Sequence, residues 1–129
     1  MKYHSKDHHK YSLKVHLVFV VKYRKKLIQG NLKIKLKEIF LRQQNTKFAI
    51  QTIESDLDHI HILIDYCPTI SVSSIVRKLK QMSTFYIWKE YNLTKYFWKE
   101  KTFWSDGYFA CSTGDASTET IKKYIESQG

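Results

Sequence analysis

The stretch that decides the fold of this chain is Asp58-His59-Ile60-His61-Ile62-Leu63-Ile64-Asp65-Tyr66. Its alternating isoleucines are typical of a β-strand, in which successive side chains point to opposite faces. The isoleucines therefore need a core behind them, whereas His59 and His61 share the other face, about 7 Å apart along the strand. Two imidazoles so placed can bind one divalent ion. An isolated His-x-His is more often structural, so the rest of the chain must supply further ligands.

Length and composition predict a single globular domain spanning residues 1–129, with a polar leader at 1–10 that lacks the apolar core of a signal peptide. Hydrophobic residues make up 43% of the chain and aromatic residues 15%, which excludes a disordered tail. No apolar run approaches the ~20 residues that cross a bilayer, so no membrane segment is expected. Two isolated cysteines favour a reducing, cytoplasmic location.

The formal net charge of +10 indicates a polyanionic partner, and nucleic acid is favoured over a membrane surface. One basic cluster, with Arg24, Lys25 and Lys26, follows the first predicted strand. A second, with Arg77, Lys78 and Lys80, lies on a predicted helix. We expect these six residues to line the path of a nucleic-acid backbone. Aromatic residues crowd the stretch 91–104, where most should be core and some could stack on unpaired bases.

Hydrophobic periodicity predicts strands at 12–23, 47–55, 58–66 and 107–112, and helices at 32–45 and 72–90. A last helix should follow Ser117, and the other expected N-caps are Asn31 and either Ser71 or Ser73. The order β-α-β-β-α-β predicts an α+β fold with a ferredoxin-like, RRM-like antiparallel four-stranded sheet. Two helices would cover one face, and the C-terminal helix would be additional.

In that topology the first and third strands are central neighbours, which places His16 near the two histidines. A single mid-strand histidine is more often a structural hydrogen-bonding residue than a ligand. On the last helix, Tyr124 and Gln128 are four residues apart and share one side. If this helix docks on the histidine side of the sheet, Gln128 can add an oxygen ligand and Tyr124 can attack a phosphate that the metal polarises.

Four collinear motifs resemble the TnpA transposases of the smallest bacterial and archaeal insertion sequences, single-tyrosine members of the HUH nuclease superfamily. They are residues 14–24 (KVHLVFVVKYR), 58–63 (DHIHIL), 103–109 (FWSDGYF) and 122–128 (KKYIESQ). By resemblance, His59, His61 and Gln128 bind the metal, Mg²⁺ or Mn²⁺, and Tyr124 on the C-terminal helix is the nucleophile.

The resemblance implies a homodimer that binds hairpins at single-stranded element ends. It implies cleavage through a 5′-phosphotyrosine that leaves a free 3′-hydroxyl, followed by rejoining of strands. The tyrosine helix typically serves the partner's site, and the tether 112–116, with its glycine, could permit such an exchange. The protein would then be cytoplasmic, and nucleoid-associated when bound to DNA.

Two alternatives remain open from the residues. A non-catalytic single-stranded nucleic-acid-binding module could use the same sheet, with the histidines as ordinary surface residues. An HUH replication initiator or relaxase would share the tyrosine chemistry, usually in a larger chain. A covalent protein–DNA adduct separates the binding module from both enzymes, and strand joining separates the transposase from the initiator.

Overall fold

The computed structural model describes residues 13–112 and 117–128. The predicted leader at 1–10 and tether residues 113–116 therefore lie outside the described residues. Within the described part of the chain, no helix is both long and apolar enough to cross a membrane.

One antiparallel sheet of four strands organises the molecule, with the strand order β2-β3-β1-β4. The strands are β1 (Leu13–Val20), β2 (Phe48–Ser55), β3 (His59–Tyr66) and β4 (Phe109–Cys111). The helices are α1 (Gly30–Arg42), α2 (Val72–Glu90), a single turn α3 (Thr94–Phe97) and α4 (Thr118–Ser127). The predicted α+β fold and the central pairing of the first and third strands are confirmed.

The two faces of the sheet separate as strand alternation predicts. Side chains from one face, called the core face here, pack under α1 and α2, and Leu17, Phe19 and Ile62 there are completely buried. The opposite face carries His16, His59 and His61 and is called the histidine face. Val18 and Val20 of that face pack with Ile125 of α4 in a separate small cluster. The C-terminal helix therefore docks on the histidine face of its own chain.

The N-caps of two helices follow the local sequence, and that of a third does not. α2 begins after Ser71, whose hydroxyl accepts a hydrogen bond from the Ser74 amide, and α4 begins after Ser117, which caps Thr120 in the same way. The predicted cap at Asn31 is wrong: α1 begins at Gly30, and no side chain caps it. Gly30 has a φ of +60°, so the chain enters this helix through a conformation that glycine adopts without strain.

Two predicted strands are shorter in the structure. β1 ends at Val20, and a 3-10 turn (Lys22–Arg24) follows it. β4 consists of only three residues, which pair with His16, Leu17 and Val18 of β1. The end of β1 matters for the site because its turn places Arg24 beside the start of β3.

Candidate active site

His59 stands at the start of β3, where the adjoining turn orients its ring. Its Nδ1 lies 2.9 Å from Asp58 Oδ1, and Arg24 Nε donates to Asp58 Oδ2 at 3.2 Å. Burial alone would raise the pKa of Asp58, but the hydrogen bonds from His59 and Arg24 outweigh it, so this pKa is lowered. A carboxylate that accepts from Nδ1–H favours the tautomer in which the Nε2 lone pair is free, an arrangement common around metal-binding histidines.

His61 faces His16 across the central strand pair. His16 Nδ1 and His61 Nε2 are 2.9 Å apart, and the ring centroids are 5.0 Å apart. Burial, reinforced by the neighbouring charge of His16, lowers the pKa of His61 below its usual value. His61 is therefore biased toward the neutral form that coordinates metals. The expectation that His16 lies beside the pair and acts as a hydrogen-bonding residue agrees with this geometry.

Tyr124 reaches the histidine face from α4. Its ring packs against Phe109 of β4, with the ring centroids 5.6 Å apart, next to the cluster of Val18, Val20 and Ile125. Burial there raises the pKa of Tyr124, which disfavours the phenolate. A tyrosine in this environment needs a nearby positive charge or a base before it can act as a nucleophile.

Gln128 ends α4 as its C-cap residue. Its side-chain amide nitrogen donates to Ser127 Oγ at 3.1 Å, which leaves the amide oxygen available as a ligand. Within residues 13–112 and 117–128, no group of three or more His, Cys, Asp or Glu side chains is positioned to hold a metal ion. The two imidazoles and the amide oxygen are donors of the kind that divalent ions bind. The histidines lie on one face of the sheet, and the hydrogen bond of the Gln128 side chain is to Ser127.

A cleft of about 470 Å³ opens between α4 and the turn that precedes β3. His59 and Asp58 lie on one wall, and Ile121 and Ile125 lie on the other. The charged lining is mixed, with the cations Arg24, Lys26 and Lys122 and the carboxylates Asp56, Asp58 and Glu126. The cleft therefore gives access to the imidazole of His59, beside charges of both signs.

The six predicted DNA-binding cations do not form one surface. Arg24 and Lys26 line the cleft and Lys25 lies between them in the chain, whereas Arg77 and Lys78 are exposed on α2, which covers the opposite face. Lys80 Nζ donates to the carbonyl oxygens of Ser105, at 2.9 Å, and Gly107, at 2.5 Å. This structural use argues against the predicted place of Lys80 in the DNA path.

Sequence reasoning missed the role of Asp58. The sequence placed Asp58 only at the start of the third predicted strand, yet its carboxylate joins Arg24 to His59. Its position directly before His59 was the available signal, because a side chain at the start of a strand can turn back on its neighbour.

Comparisons with known proteins agree with this architecture. Residues 9–128 match the family model described as "Transposase IS200 like". The chain is 30% identical over 122 residues to the transposase of insertion sequence element IS200 from Salmonella typhimurium, covering 94% of this chain and 80% of that protein. It is 29% identical over 120 residues to the ISDra2 transposase TnpA of Deinococcus radiodurans, covering 92% and 85% respectively.

Solved structures show the same fold. A Deinococcus radiodurans R1 protein proposed to be a transposase superposes with a TM-score of 0.80 at 24% identity, covering 90% of each chain. A REP-associated tyrosine transposase bound to a REP hairpin superposes with a TM-score of 0.53 at 13% identity, covering 88% of this chain and 62% of that one. The match over residues 9–128 and the identity to the Salmonella transposase place this chain in the family of IS200-like transposases.

Proposed function

We propose that this transposase cleaves and rejoins single-stranded DNA by tyrosine transesterification on the histidine face. The observation that carries the proposal is the docking of α4 there: one face of one sheet holds His59 and His61 and also receives the helix with Tyr124. The cleft beside His59 gives a phosphate access to this face. Helices α1 and α2 shield the other face.

In the proposed reaction the phenol oxygen of Tyr124 attacks the scissile phosphorus, and the bond from phosphorus to the 3′ oxygen breaks. The tyrosine then holds the 5′-phosphate, the other fragment leaves with a 3′-hydroxyl, and the phenolic proton passes to solvent. The reverse attack, by the 3′-hydroxyl of another end, joins strands and regenerates the tyrosine. Because the phosphoester bond is conserved in each transfer, no external energy source is required.

His59 and His61 would hold the divalent ion, Mg²⁺ or Mn²⁺, with Gln128 as a third ligand. The ion supplies positive charge for the scissile phosphate and for the developing phenolate. Asp58 and Arg24 act through His59 by fixing its ring. The lowered pKa of His61 favours its neutral form, and coordination through Nε2 would replace the contact of that atom with His16 Nδ1.

The substrate would be a DNA hairpin at the end of an insertion sequence. The protein would act in the cytoplasm, associated with the nucleoid when bound to DNA. The REP-associated relative is described with a hairpin bound, and the net charge of +10 here suits a polyanion. Arg24, Lys25 and Lys26 lie closest to the cleft, whereas Arg77 and Lys78 would meet DNA on the other side of the sheet.

The test uses labelled single strands that carry hairpin ends, with Mg²⁺ or Mn²⁺ present. Wild-type protein should form a denaturant-resistant adduct and a joined product. Tyr124→Phe should form neither while its hairpin affinity stays within about twofold. His59→Ala should also lose the adduct. An adduct without joining would favour the initiator, and binding without an adduct from wild type would favour the non-catalytic module.

The proposal includes a homodimer whose sites are completed by exchange of α4. In the described chain α4 lies on its own sheet, through a small cluster built around Ile125. The same contacts could form with a partner's sheet, since exchange of an identical element needs no new surface. Mixing His59→Ala with Tyr124→Phe protein should then restore adduct formation, because one composite site has both histidines and a tyrosine. Sites complete within one chain would give no recovery.

A further inference from the structure

We propose that a concave surface next to the candidate active site stacks the unpaired bases of the DNA strand that enters it. This aromatic shelf is formed by Tyr23, Tyr96 and Trp98, which line one cleft of about 450 Å³. The inference rests on the proposed function, because it names the part of the protein that would hold the strand beside the scissile phosphate.

Exposure separates Trp98 and Tyr23 from the buried aromatic residues. Tyr96 is half-buried, and among the described residues Phe85 on α2 is the other strongly exposed ring. Trp98 is 72% exposed and Tyr23 is 58% exposed, whereas Trp104 is only 4% exposed. The shelf has a firm floor, because Phe97 beneath it is buried and its ring centroid lies 6.4 Å from that of Tyr23. Rings that the fold leaves in water above a packed floor are available to a ligand.

The backbone holds both exposed rings in place. In the described part of the chain, the non-glycine residues with positive φ are Tyr23 (61°), Arg24 (52°) and Trp98 (55°). Hydrogen bonds fix these conformations: the Arg24 amide donates to Val21 O at 2.8 Å, and the Trp98 amide donates to Thr94 O at 2.6 Å. Left-handed backbone at bulky residues is costly and tends to occur at functional sites. Here it occurs at the two aromatic residues that the fold exposes on the shelf.

The charges around the shelf complement a nucleic acid. The ammonium groups of Lys22, Lys95 and Lys99 lie 5.1–5.7 Å from the ring centroids of Tyr23, Tyr96 and Trp98, respectively. The one carboxylate that lines the cleft, Glu100, is paired with Lys22 at 3.4 Å. Rings interleaved with cations bind single strands, because bases stack on the rings while phosphates meet the cations.

The position of the shelf links it to the histidines. Tyr23 directly precedes Arg24, whose guanidinium holds Asp58, which in turn contacts His59. A strand whose phosphate sits at His59 would have to continue past Arg24, around the end of β1, to place its next nucleotides on the shelf. A duplex would not use this surface, since its bases are already stacked on each other. The occupant is thus the single-stranded segment that flanks the hairpin.

The experiment measures affinity for a fluorescently labelled oligothymidylate in EDTA, where no metal-dependent cleavage can occur. Trp98→Ala and Tyr23→Ala should each weaken binding by about fivefold or more, the loss expected for one stacked base. Trp98→Phe and Tyr23→Phe, which keep an aromatic ring, should retain most of the wild-type affinity. Ile34→Ala is the control, since Ile34 is a similarly exposed apolar side chain (60%) but lies on α1, which has no place in the proposed DNA path. It should bind like wild type.

Tryptophan fluorescence gives a second, direct readout. Wild-type emission should be quenched on adding the strand, and the quenching should largely disappear in Trp98→Phe. Unchanged affinity of both alanine variants, or quenching that persists in Trp98→Phe, overturns the inference. A change from dimer to monomer in Trp98→Ala also overturns it, because the surface would then be a protein interface.

The two proposals can fail separately. If the alanine variants bind weakly but wild type forms no adduct with hairpin DNA and metal, the shelf stands and the proposed chemistry fails. If wild type forms the adduct through Tyr124 but both alanine variants bind normally, the chemistry stands and the shelf fails.

Discussion

The core face and the histidine face of the sheet differ greatly in the number of apolar side chains they bury and in the length of the helices that cover them. The core face buries large rings and aliphatic side chains under two helices of 13 and 19 residues. The histidine face has Val18, Val20 and Ile125 as its buried cluster, under a helix of ten residues. A helix that short is marginal in water without tertiary contacts, so α4 depends on this small cluster. Stability is thus concentrated on one face, and the groups suited to chemistry on the other.

The largest expected effect comes from breaking the core face. Phe19 is completely buried and packs edge-on against Phe40 and Trp104 at centroid distances of 6.0 and 5.6 Å. Phe19→Ala should lower the free energy of unfolding by about 3–5 kcal/mol, measured by urea denaturation.

Ile125→Ala is the counterpart on the histidine face. It should release α4 while the rest of the domain keeps its denaturation midpoint, so hydrogen exchange should show lost protection in residues 118–127 alone. Equal losses of global stability in the two variants would contradict the division between the faces.

Asp58→Ala tests whether the Asp58 carboxylate orients the ring of His59 for metal binding. Removing a carboxylate that orients a metal-binding histidine costs about 10–100-fold in metal affinity, and we expect Mn²⁺ binding measured by electron paramagnetic resonance to weaken by that amount. Asp56→Ala is the control, since Asp56 belongs to the same turn and its Oδ1 accepts from the Leu57 amide instead. Similar Mn²⁺ affinities in the two variants would show that Asp58 does not orient a ligand.

Substitutions of Lys80 and Lys78 distinguish a cation with a structural role from one that contacts DNA. Lys80→Met loses two charge-assisted hydrogen bonds and should destabilise the protein by on the order of 1–3 kcal/mol. Its slope of log affinity for single-stranded DNA against log salt should stay unchanged. Lys78→Met should leave stability unchanged and reduce that slope by about 0.7, the value for one phosphate contact. The reverse pattern would restore Lys80 to the DNA path.

The smallest effect concerns the ionisation of Tyr124. Burial raises the pKa of Tyr124 in the folded protein above the ordinary value of 10.0. The stability linked to this group is therefore present below pH 10 and is lost as pH rises through the folded-state pKa, because the unfolded chain releases the proton first. The difference between the free energies of unfolding of wild type and Tyr124→Phe, followed as pH rises above 10, measures this linked stability. A phenol in Tyr124 that titrates below pH 10 without metal would contradict the packing against Phe109.

Periodicity predicted most of the fold because burial controls it. The isoleucines of β3 and the bounds of α2 (Val72–Glu90) follow directly from alternation and helical spacing. The start of α1 was mispredicted because a glycine with positive φ replaces the side-chain cap that was expected at Asn31.

The site was predictable only in part. His59 and His61 share a face as alternation requires, and Tyr124 reaches that face because Ile121 and Ile125 give α4 its docking side. The contact of Asp58 with His59, the use of Lys80 by two carbonyls and the left-handed backbone at Tyr23 and Trp98 depend on tertiary packing that no local pattern contains. The position of Gln128 relative to the histidines depends on the last turn of α4, where sequence spacing alone fixes little.

The most direct measurement of the central claim is to locate the protein–DNA bond. Wild-type protein would be incubated with hairpin-ended single strands and Mg²⁺, the adduct digested with trypsin and nuclease, and the peptides sequenced by mass spectrometry. Cleavage after Lys123 makes Tyr124 the first residue of a peptide that begins Tyr-Ile-Glu-Ser-Gln. We predict that this peptide carries the nucleotide through the phenol oxygen of Tyr124 and a 5′-phosphate. A nucleotide on any other residue, or a 3′-phosphate linkage, would contradict the account.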